Sequence, residues 1–226
     1  MKGHSYVFVL SAIMGIACLS CGNKTDSSSG NQTVKVHTGN ITHEVGIHIP
    51  ADMDKNRSYP AIYMMDDELF NNDKFIFRID SLTYIGKMQP AFLVAVDDIN
   101  ADLINEVGNH INAGVRFFYG NGTGADSGIQ FSASATKDLF KEYWCFNPSP
   151  VNVNANTLSG TKYRIVWNLK NNTEAYYDKY PAFVYSLRKR GATIIESTYS
   201  DYEDLPSRMT EFLHTMAEVL PAQAAR

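Results

Sequence analysis

Two kinds of hydrophobic pattern alternate along the chain between residues 61 and 220. Short apolar runs are typical of strands buried on both faces, whereas the segments between them repeat apolar residues at helical spacing. The predicted central strands are 61–65, 91–96, 115–119, 143–146, 163–167 and 192–196. The predicted helices are 74–88, 101–111, 129–135, 174–190 and 205–220. This alternation predicts an α/β fold with a mostly parallel sheet and helices on both faces, a three-layer sandwich.

A different pattern precedes these elements. Residues 34–36 and 43–49 alternate apolar with polar side chains, and Gly39-Asn40 lies between them. Alternation of this kind is typical of half-exposed antiparallel strands, and Gly39-Asn40 favours a tight turn. We therefore expect an antiparallel N-terminal hairpin at the start of the folded domain, which is assigned to residues 34–226.

The first 33 residues are predicted to be a leader and a tether. Lys2 precedes the apolar stretch 6–17, which is short for a membrane span. The segment 17–22 resembles the end of a bacterial lipoprotein signal, in which Cys21 (alternatively Cys18) receives the lipid. The polar residues 22–33 are then a linker to the domain. We expect a lipid-anchored protein of the bacterial cell envelope, on a membrane face that the pattern does not specify; an ordinary cleaved secretory signal is the alternative.

Composition narrows the classes of partner. The chain of 226 residues is 44% hydrophobic with a formal net charge of −4, and its basic residues form no stripe. Nucleic acid is therefore an unsuitable partner. Outside the leader the only cysteine is Cys145, in an apolar run, so we expect a buried core residue and no disulfide framework. No cofactor or zinc-ligand spacing is evident.

A glycine cluster follows the predicted strand 115–119. A strand, a sharp glycine turn and a small-residue helix are typical of a nucleophile elbow, whose usual pattern is Gly-x-Ser-x-Gly. The cluster reads Gly120-Asn121-Gly122-Thr123-Gly124. The elbow pattern is present, but Gly122 occupies the place of the serine.

Three motifs in this order resemble an esterase family of the α/β-hydrolase fold that includes enterochelin-esterase-like and feruloyl- or acetyl-esterase-like enzymes. They are the strand and loop 59–68, the elbow 119–128, and the segment 138–149, which begins Asp-Leu-Phe and ends Cys-Phe-Asn-Pro-Ser. The resemblance extends from about residue 43 to residue 220. It implies an α/β-hydrolase fold and carboxylic-ester chemistry.

The resemblance also assigns catalytic positions. The nucleophile position falls on Gly122, the acid position on Glu174 (with Asp178 as the alternative), and the histidine position on Ser200 in the loop before the last helix. The family needs a serine, an acid and a histidine there, because the histidine takes the serine proton and the acid orients the histidine. Two of these three residues are absent. The resemblance thus implies a pseudo-esterase that is catalytically impaired or inactive.

Two further assignments concern binding. The resemblance places the oxyanion donors at Thr123 and Asp67, with the backbone N–H of Thr123 as one of them. It implies a carbohydrate ester or a protein partner as the ligand, in a shallow cleft because the segment between residues 98 and 115 is short. The oligomeric state stays open.

Alternatives remain for the acidic residues. Asp126, one turn past Gly122, could act as a non-standard nucleophile in an active esterase, or could interact with the helix N-terminus. Asp66, Asp67, Asp97 and Asp98 follow neighbouring strands, where they could hold a cation or sugar hydroxyls, or could cap helices and turns. A third interpretation is a structural component whose fold is a relic.

Overall fold

The structure is a computed structural model that describes residues 30–50, 53–54, 56–135, 138–150, 153, 157–168, 174–199 and 205–221, without the side chains of 168, 174–178 and 199. In this part of the chain, eight strands form one sheet. They are β1 (Gly30–Thr38), β2 (Ile41–Ile49), β3 (Tyr59–Met65), β4 (Phe92–Ala95), β5 (Ala113–Asn121), β6 (Glu142–Phe146), β7 (Lys162–Asn168) and β8 (Thr193–Tyr199). Their order across the sheet is β1-β2-β4-β3-β5-β6-β7-β8.

The sheet is parallel except at one edge. β1 and β2 form an antiparallel hairpin in which Gly30 pairs with Ile49, and β2 is also antiparallel to β4. The pairs from β4 through β8 are parallel. The predicted mostly parallel sheet with an antiparallel N-terminal hairpin is confirmed.

Helices cover both faces of the sheet. They are α1 (Asp67–Phe70), α2 (Asp73–Tyr84), α3 (Ala101–His110), α4 (Thr123–Ser134), α5 (Glu174–Lys189) and α6 (Leu205–Val219). α3, α4 and α5 share one apolar cluster with one face of the sheet, whereas α1, α2 and α6 share another with the opposite face. Successive strand residues therefore pack on opposite faces of the sheet. Phe118 packs in the first cluster, and Phe117 and Tyr119 pack in the second.

Several element boundaries differ from those predicted. β1 begins at Gly30, so four residues assigned to the tether belong to the sheet; their exposed side chains on an edge strand gave no apolar signal. α4 begins at Thr123 rather than residue 129, because its glycine-rich start packs against the sheet. The four-residue α1 was not predicted, and α2 ends at Tyr84 rather than residue 88.

Two other features of the described residues bear on the predictions. Cys145 is fully buried, as expected from its apolar run. None of the helices in the described ranges has both the length and the apolarity needed to cross a membrane.

Candidate active site

The backbone between β5 and α4 forms a sharp turn with Gly122 at its apex. Gly122 has φ 55° and ψ −119°, a conformation that residues with a side chain rarely adopt. Its N–H donates to the Phe146 carbonyl oxygen of β6 at 2.9 Å, and its own carbonyl oxygen accepts from the Asp126 N–H at 3.1 Å. The turn is thus held between the neighbouring strand and the first turn of the helix.

The flanking glycines allow β5 and α4 to pass closely. A Cβ on Gly120 would lie 2.5 Å from the Gly124 carbonyl carbon, and a Cβ on Gly124 would lie 2.5 Å from the Met65 carbonyl oxygen. Any side chain at either position would collide with backbone. Gly122 differs, because a Cβ there would meet no atom within 4 Å. The apex has room for a side chain, and the sequence supplies none.

Two helix starts lie beside this apex. Thr123 is the first residue of α4, and Asp67 is the first residue of α1. Contact between Gly124 and Met65 brings the two starts together. The first N–H groups of a helix lack partners within the helix, so the backbone N–H at each assigned oxyanion position could donate to a ligand oxygen.

A buried ion pair supports the loop that carries Asp67. The Arg208 Nη1 donates to Asp66 Oδ2 at 2.7 Å, and the Tyr119 hydroxyl donates to the same oxygen at 3.1 Å. Arg208 also pairs with Glu68. The side chains of Arg208 and Asp66 are only 8% and 5% exposed. This contact joins the first turn of α6 to the end of β3.

Arg208 was not identified from the sequence. The sequence feature that could have identified it is a charged residue on the apolar face of a helix. Arg208 lies next to Met209 and one turn before Phe212 on that face. A buried arginine requires a buried carboxylate nearby, and the sequence alone offers several carboxylates that could serve.

Asp126 lies in the first turn of α4 and faces the loop after β6. Its Oδ1 accepts from the Ser149 N–H at 2.6 Å. Burial raises the pKa of the Asp126 carboxyl above its ordinary value, although the Ser149 donor acts in the opposite direction. The carboxylate therefore connects α4 to the 147–150 loop, and one of its oxygens is occupied.

The other predicted triad positions follow strands on the same edge of the sheet. Glu174 is the first residue of α5, which follows β7, and its side chain is outside the described part of the chain. Ser200 directly follows β8 and also lies outside the described residues, as do Cys18 and Cys21. β5 to β8 are parallel, so the last described residues of β7 and β8, Asn168 and Tyr199, lie at the edge that carries Gly122.

The histidines nearest in sequence to Gly122 and to the segment after β8 are His110 and His214, and both are remote from the edge that carries Gly122. The sequence has no histidine between His110 and His214. His110 ends α3 at the opposite end of β5, a strand of nine residues that spans about 30 Å. His214 is an exposed residue nine positions into α6, about 14 Å along the helix from its start.

Of the remaining histidines, three belong to the N-terminal hairpin and His4 lies outside the described residues. His48 is fully buried: its Nδ1 is 2.8 Å from Asn31 Oδ1, and its Nε2 is 2.9 Å from Asp80 Oδ1. His43 contacts the Thr38 hydroxyl, and His37 contacts that of Thr42. Each of these three rings thus contacts side chains of the hairpin or of α2.

The acidic residues after β3 and β4 cap turns and helices. Asp66 is the N-cap of α1 and accepts from the Leu69 N–H at 3.1 Å. Asp98 Oδ1 accepts from the Ile99 N–H at 2.8 Å. The capping interpretation is confirmed for these two residues. Within the described ranges, no group of three or more His, Cys, Asp and Glu side chains is arranged to hold a metal ion.

A central parallel sheet, two helical layers and a glycine-flanked elbow after the fifth strand define the α/β-hydrolase fold. The chain matches no family model and no curated protein sequence. Solved structures do match it. A ferulic acid esterase superposes with a TM-score of 0.67 at 10% identity, covering 86% of this chain and 99% of the esterase.

Two further structures have the same fold. A ferulic acid esterase from Anaeromyces mucronatus, in complex with ferulic acid, gives a TM-score of 0.60 at 12% identity over 86% of this chain and 92% of its own. An IroE-like serine hydrolase from Shewanella oneidensis gives 0.59 at 12% identity over 85% and 80%. The predicted α/β-hydrolase fold is confirmed, and the chain has the fold of feruloyl esterases.

Proposed function

We propose that the chain is a lipid-tethered, esterase-fold protein of the bacterial cell envelope that binds a carbohydrate ester or a protein partner at the elbow edge without efficient ester hydrolysis. The observation that carries the proposal is the apex of the elbow. Gly122 has the backbone conformation and the open space that suit a nucleophile, but it has no side chain.

The missing proton acceptor supports the same proposal. A serine hydroxyl is a weak nucleophile unless a base removes its proton, and the base is usually histidine. The loop between β8 and α6 contains Ser-Asp-Tyr-Glu-Asp at 200–204 and no histidine. Both reacting groups of the mechanism are therefore absent from the sequence at the positions where the fold would need them.

The expected size of the deficit is large. Removal of the nucleophile or the histidine of a serine hydrolase lowers turnover by roughly a millionfold, and removal of both costs about the same. Binding and oxyanion donors alone leave about 10³ to 10⁴ over the uncatalysed rate. Thr123 and Asp67 would supply those donors here, so residual hydrolysis of an activated ester should be slow.

Retained packing favours a binding role over a relic fold. Gly120 and Gly124 preserve the close approach that forms the elbow, and the Arg208–Asp66 pair supports the adjoining loop. The ligand class is taken from the resemblance to feruloyl- or acetyl-esterase-like enzymes, and one structural neighbour, a ferulic acid esterase, is in complex with ferulic acid. The leader pattern at 17–22 supports the tether.

The test is restoration of the missing groups. The variants Gly122→Ser and Gly122→Ser with Ser200→His are assayed on p-nitrophenyl acetate and methyl ferulate beside the parent chain. Gly122→Ala is the matched control, because it imposes the same backbone strain without a hydroxyl. The parent chain is expected to hydrolyse these esters no faster than the Gly122→Ala control. The double variant is expected to hydrolyse them faster than both.

A parent chain that hydrolyses these esters contradicts the proposal. In that event Asp126→Asn tests the non-standard nucleophile directly, because the amide keeps the shape of the side chain and cannot form an ester. Binding is measured separately, by thermal stabilisation of the parent with ferulate and with feruloylated oligosaccharides. The melting temperature of the parent is expected to rise with these ligands. An unchanged melting temperature with every ligand would favour the relic interpretation.

A further inference from the structure

The surface of α2 carries a cluster of exposed apolar side chains. Phe77 is 71% exposed, Tyr84 is 81% exposed and Ile85, just after the helix, is 61% exposed. Phe77 and Tyr84 are seven residues apart and so lie on one side of the helix, two turns apart. We name these three residues the α2 stripe. The other large apolar side chains that are exposed in the described ranges, Ile41, Val115 and Tyr185, lie on three separate elements.

The beginning of the domain lies beside this stripe. Asn31, in β1, contacts His48, and His48 contacts Asp80 of α2. Asp80 is three residues after Phe77 and four before Tyr84, and residues at these spacings are neighbours on a helix surface. Two hydrogen bonds therefore link the second residue of β1 to Asp80, which lies between Phe77 and Tyr84 on α2.

Sheet direction places both features at one edge. We name the end of the sheet at which the parallel strands β3 to β8 begin the amino edge. Gly122 lies at the opposite end of β5. β2 runs the other way and ends there, and Gly30 pairs with its last residue, Ile49. Ile85 lies between the end of α2 and the start of β4, at the same edge.

The charge around the stripe suits an anionic surface. Lys74, Arg78 and Lys87 are exposed in the segment from α2 to β4. The acidic residues of that segment are Asp73 and Asp80, and Asp80 is engaged by His48. Aromatic side chains flanked by Lys and Arg are typical of helices that lie in the interface of a lipid bilayer.

We propose that the α2 stripe rests in the bilayer interface, so that the amino edge of the domain faces the membrane and the Gly122 edge faces the aqueous compartment. This inference rests on the lipid tether of the proposed function. Nine residue steps separate Cys21 from Gly30, and even a fully extended chain of that length spans only about 30 Å. The tether thus holds the stripe within reach of the bilayer, and ligands approach the candidate site from the side away from it.

The chain offers a matched pair of probe positions. Ile85 and Ile41 are both isoleucines, and each is 61% exposed. Ile85 is in the α2 stripe, whereas Ile41 is at the β1–β2 turn, on the edge that carries Gly122. The native Trp144 and Trp167 are 0% and 3% exposed and give the same background in both variants.

The experiment uses the full chain, expressed with its leader and reconstituted into vesicles of phosphatidylethanolamine and phosphatidylglycerol that contain brominated phosphatidylcholine. Flotation with the vesicles tests the tether, and bromine quenching tests the orientation. Ile85→Trp is expected to lose roughly half of its emission because its ring lies about 5–10 Å into the interface, whereas Ile41→Trp is expected to keep its emission. Replacing Phe77 and Tyr84 by Gln in the Ile85→Trp chain is expected to reduce the quenching.

The possible failures are distinguishable. Flotation with equal quenching at both positions, or with quenching at neither, overturns the orientation and leaves the tether intact. A blue-shifted emission of the Ile85→Trp chain without quenching by bromine means that another surface covers the stripe, which also overturns the proposal. A chain that does not float overturns the tether and this inference together, but leaves the ester-hydrolysis assays of the proposed function unaffected.

Discussion

The three glycines of the elbow should respond differently to alanine. Gly122→Ala adds a methyl group into open space, so its cost is the strain of a side chain at φ 55°, about 1–3 kcal/mol. Gly120→Ala and Gly124→Ala each place a Cβ 2.5 Å from backbone atoms, which cannot move without opening the elbow. We expect these two variants to lose more than about 4 kcal/mol, a loss that few single substitutions cause.

Urea unfolding followed by circular dichroism measures these differences as shifts of the midpoint at constant slope. Gly86→Ala is the control: Gly86 has φ 69°, a Cβ there meets no atom within 4 Å, and it lies just after α2, on the other side of the sheet from α4. It should cost about 1–2 kcal/mol. A Gly120→Ala variant as stable as Gly86→Ala, or a Gly122→Ala variant as unstable as Gly120→Ala, would contradict this expectation.

Three other expectations follow from the contacts of buried groups. Because burial raises the pKa of Asp126 in the folded state, its stability cost appears as pH rises from the unfolded value through the folded value; Asp126→Asn should raise the melting temperature at about pH 7 but not at about pH 3, and an equal effect at both would contradict this. Arg208→Met should cost about 3–5 kcal/mol of unfolding free energy because it leaves the buried Asp66 carboxylate without its cationic partner, whereas Arg188→Met, at an exposed ion pair, should cost at most about 1 kcal/mol; equal losses would refute the distinction. Complete burial raises the pKa of the Cys145 thiol, so in a folded chain with Cys18 and Cys21 replaced by Ser a disulfide reagent should label Cys145 only as fast as the protein unfolds, and rapid labelling would contradict this expectation.

The sequence predicts the central sheet well because buried strands carry continuous apolar runs. Each of the six predicted central strands is present, and the glycine spacing around Gly122 identifies the elbow, since only glycine fits at 120 and 124. The order of the strands follows from packing between distant segments and was not predicted. Residues 30–33 were not predicted to be part of a strand, because an exposed edge strand has no apolar pattern.

The candidate site was predictable only in part. Motif spacing located Gly122 at the apex of the turn after β5, because that turn depends on local backbone requirements. The contacts of Asp126 with Ser149 and of Arg208 with Asp66 join residues 23 and 142 positions apart. No local pattern encodes such pairings, since each carboxylate has several sequence-compatible partners and tertiary packing selects one.

The proposed function depends on an elbow whose apex residue, Gly122, carries no side chain. Intact-mass spectrometry of the parent chain after incubation with a fluorophosphonate tests this most directly, since the reagent forms a stable adduct with an activated serine. We expect an unmodified mass for the parent under conditions that fully label an active feruloyl esterase. A stoichiometric adduct on any serine or threonine beside Gly122 would contradict it.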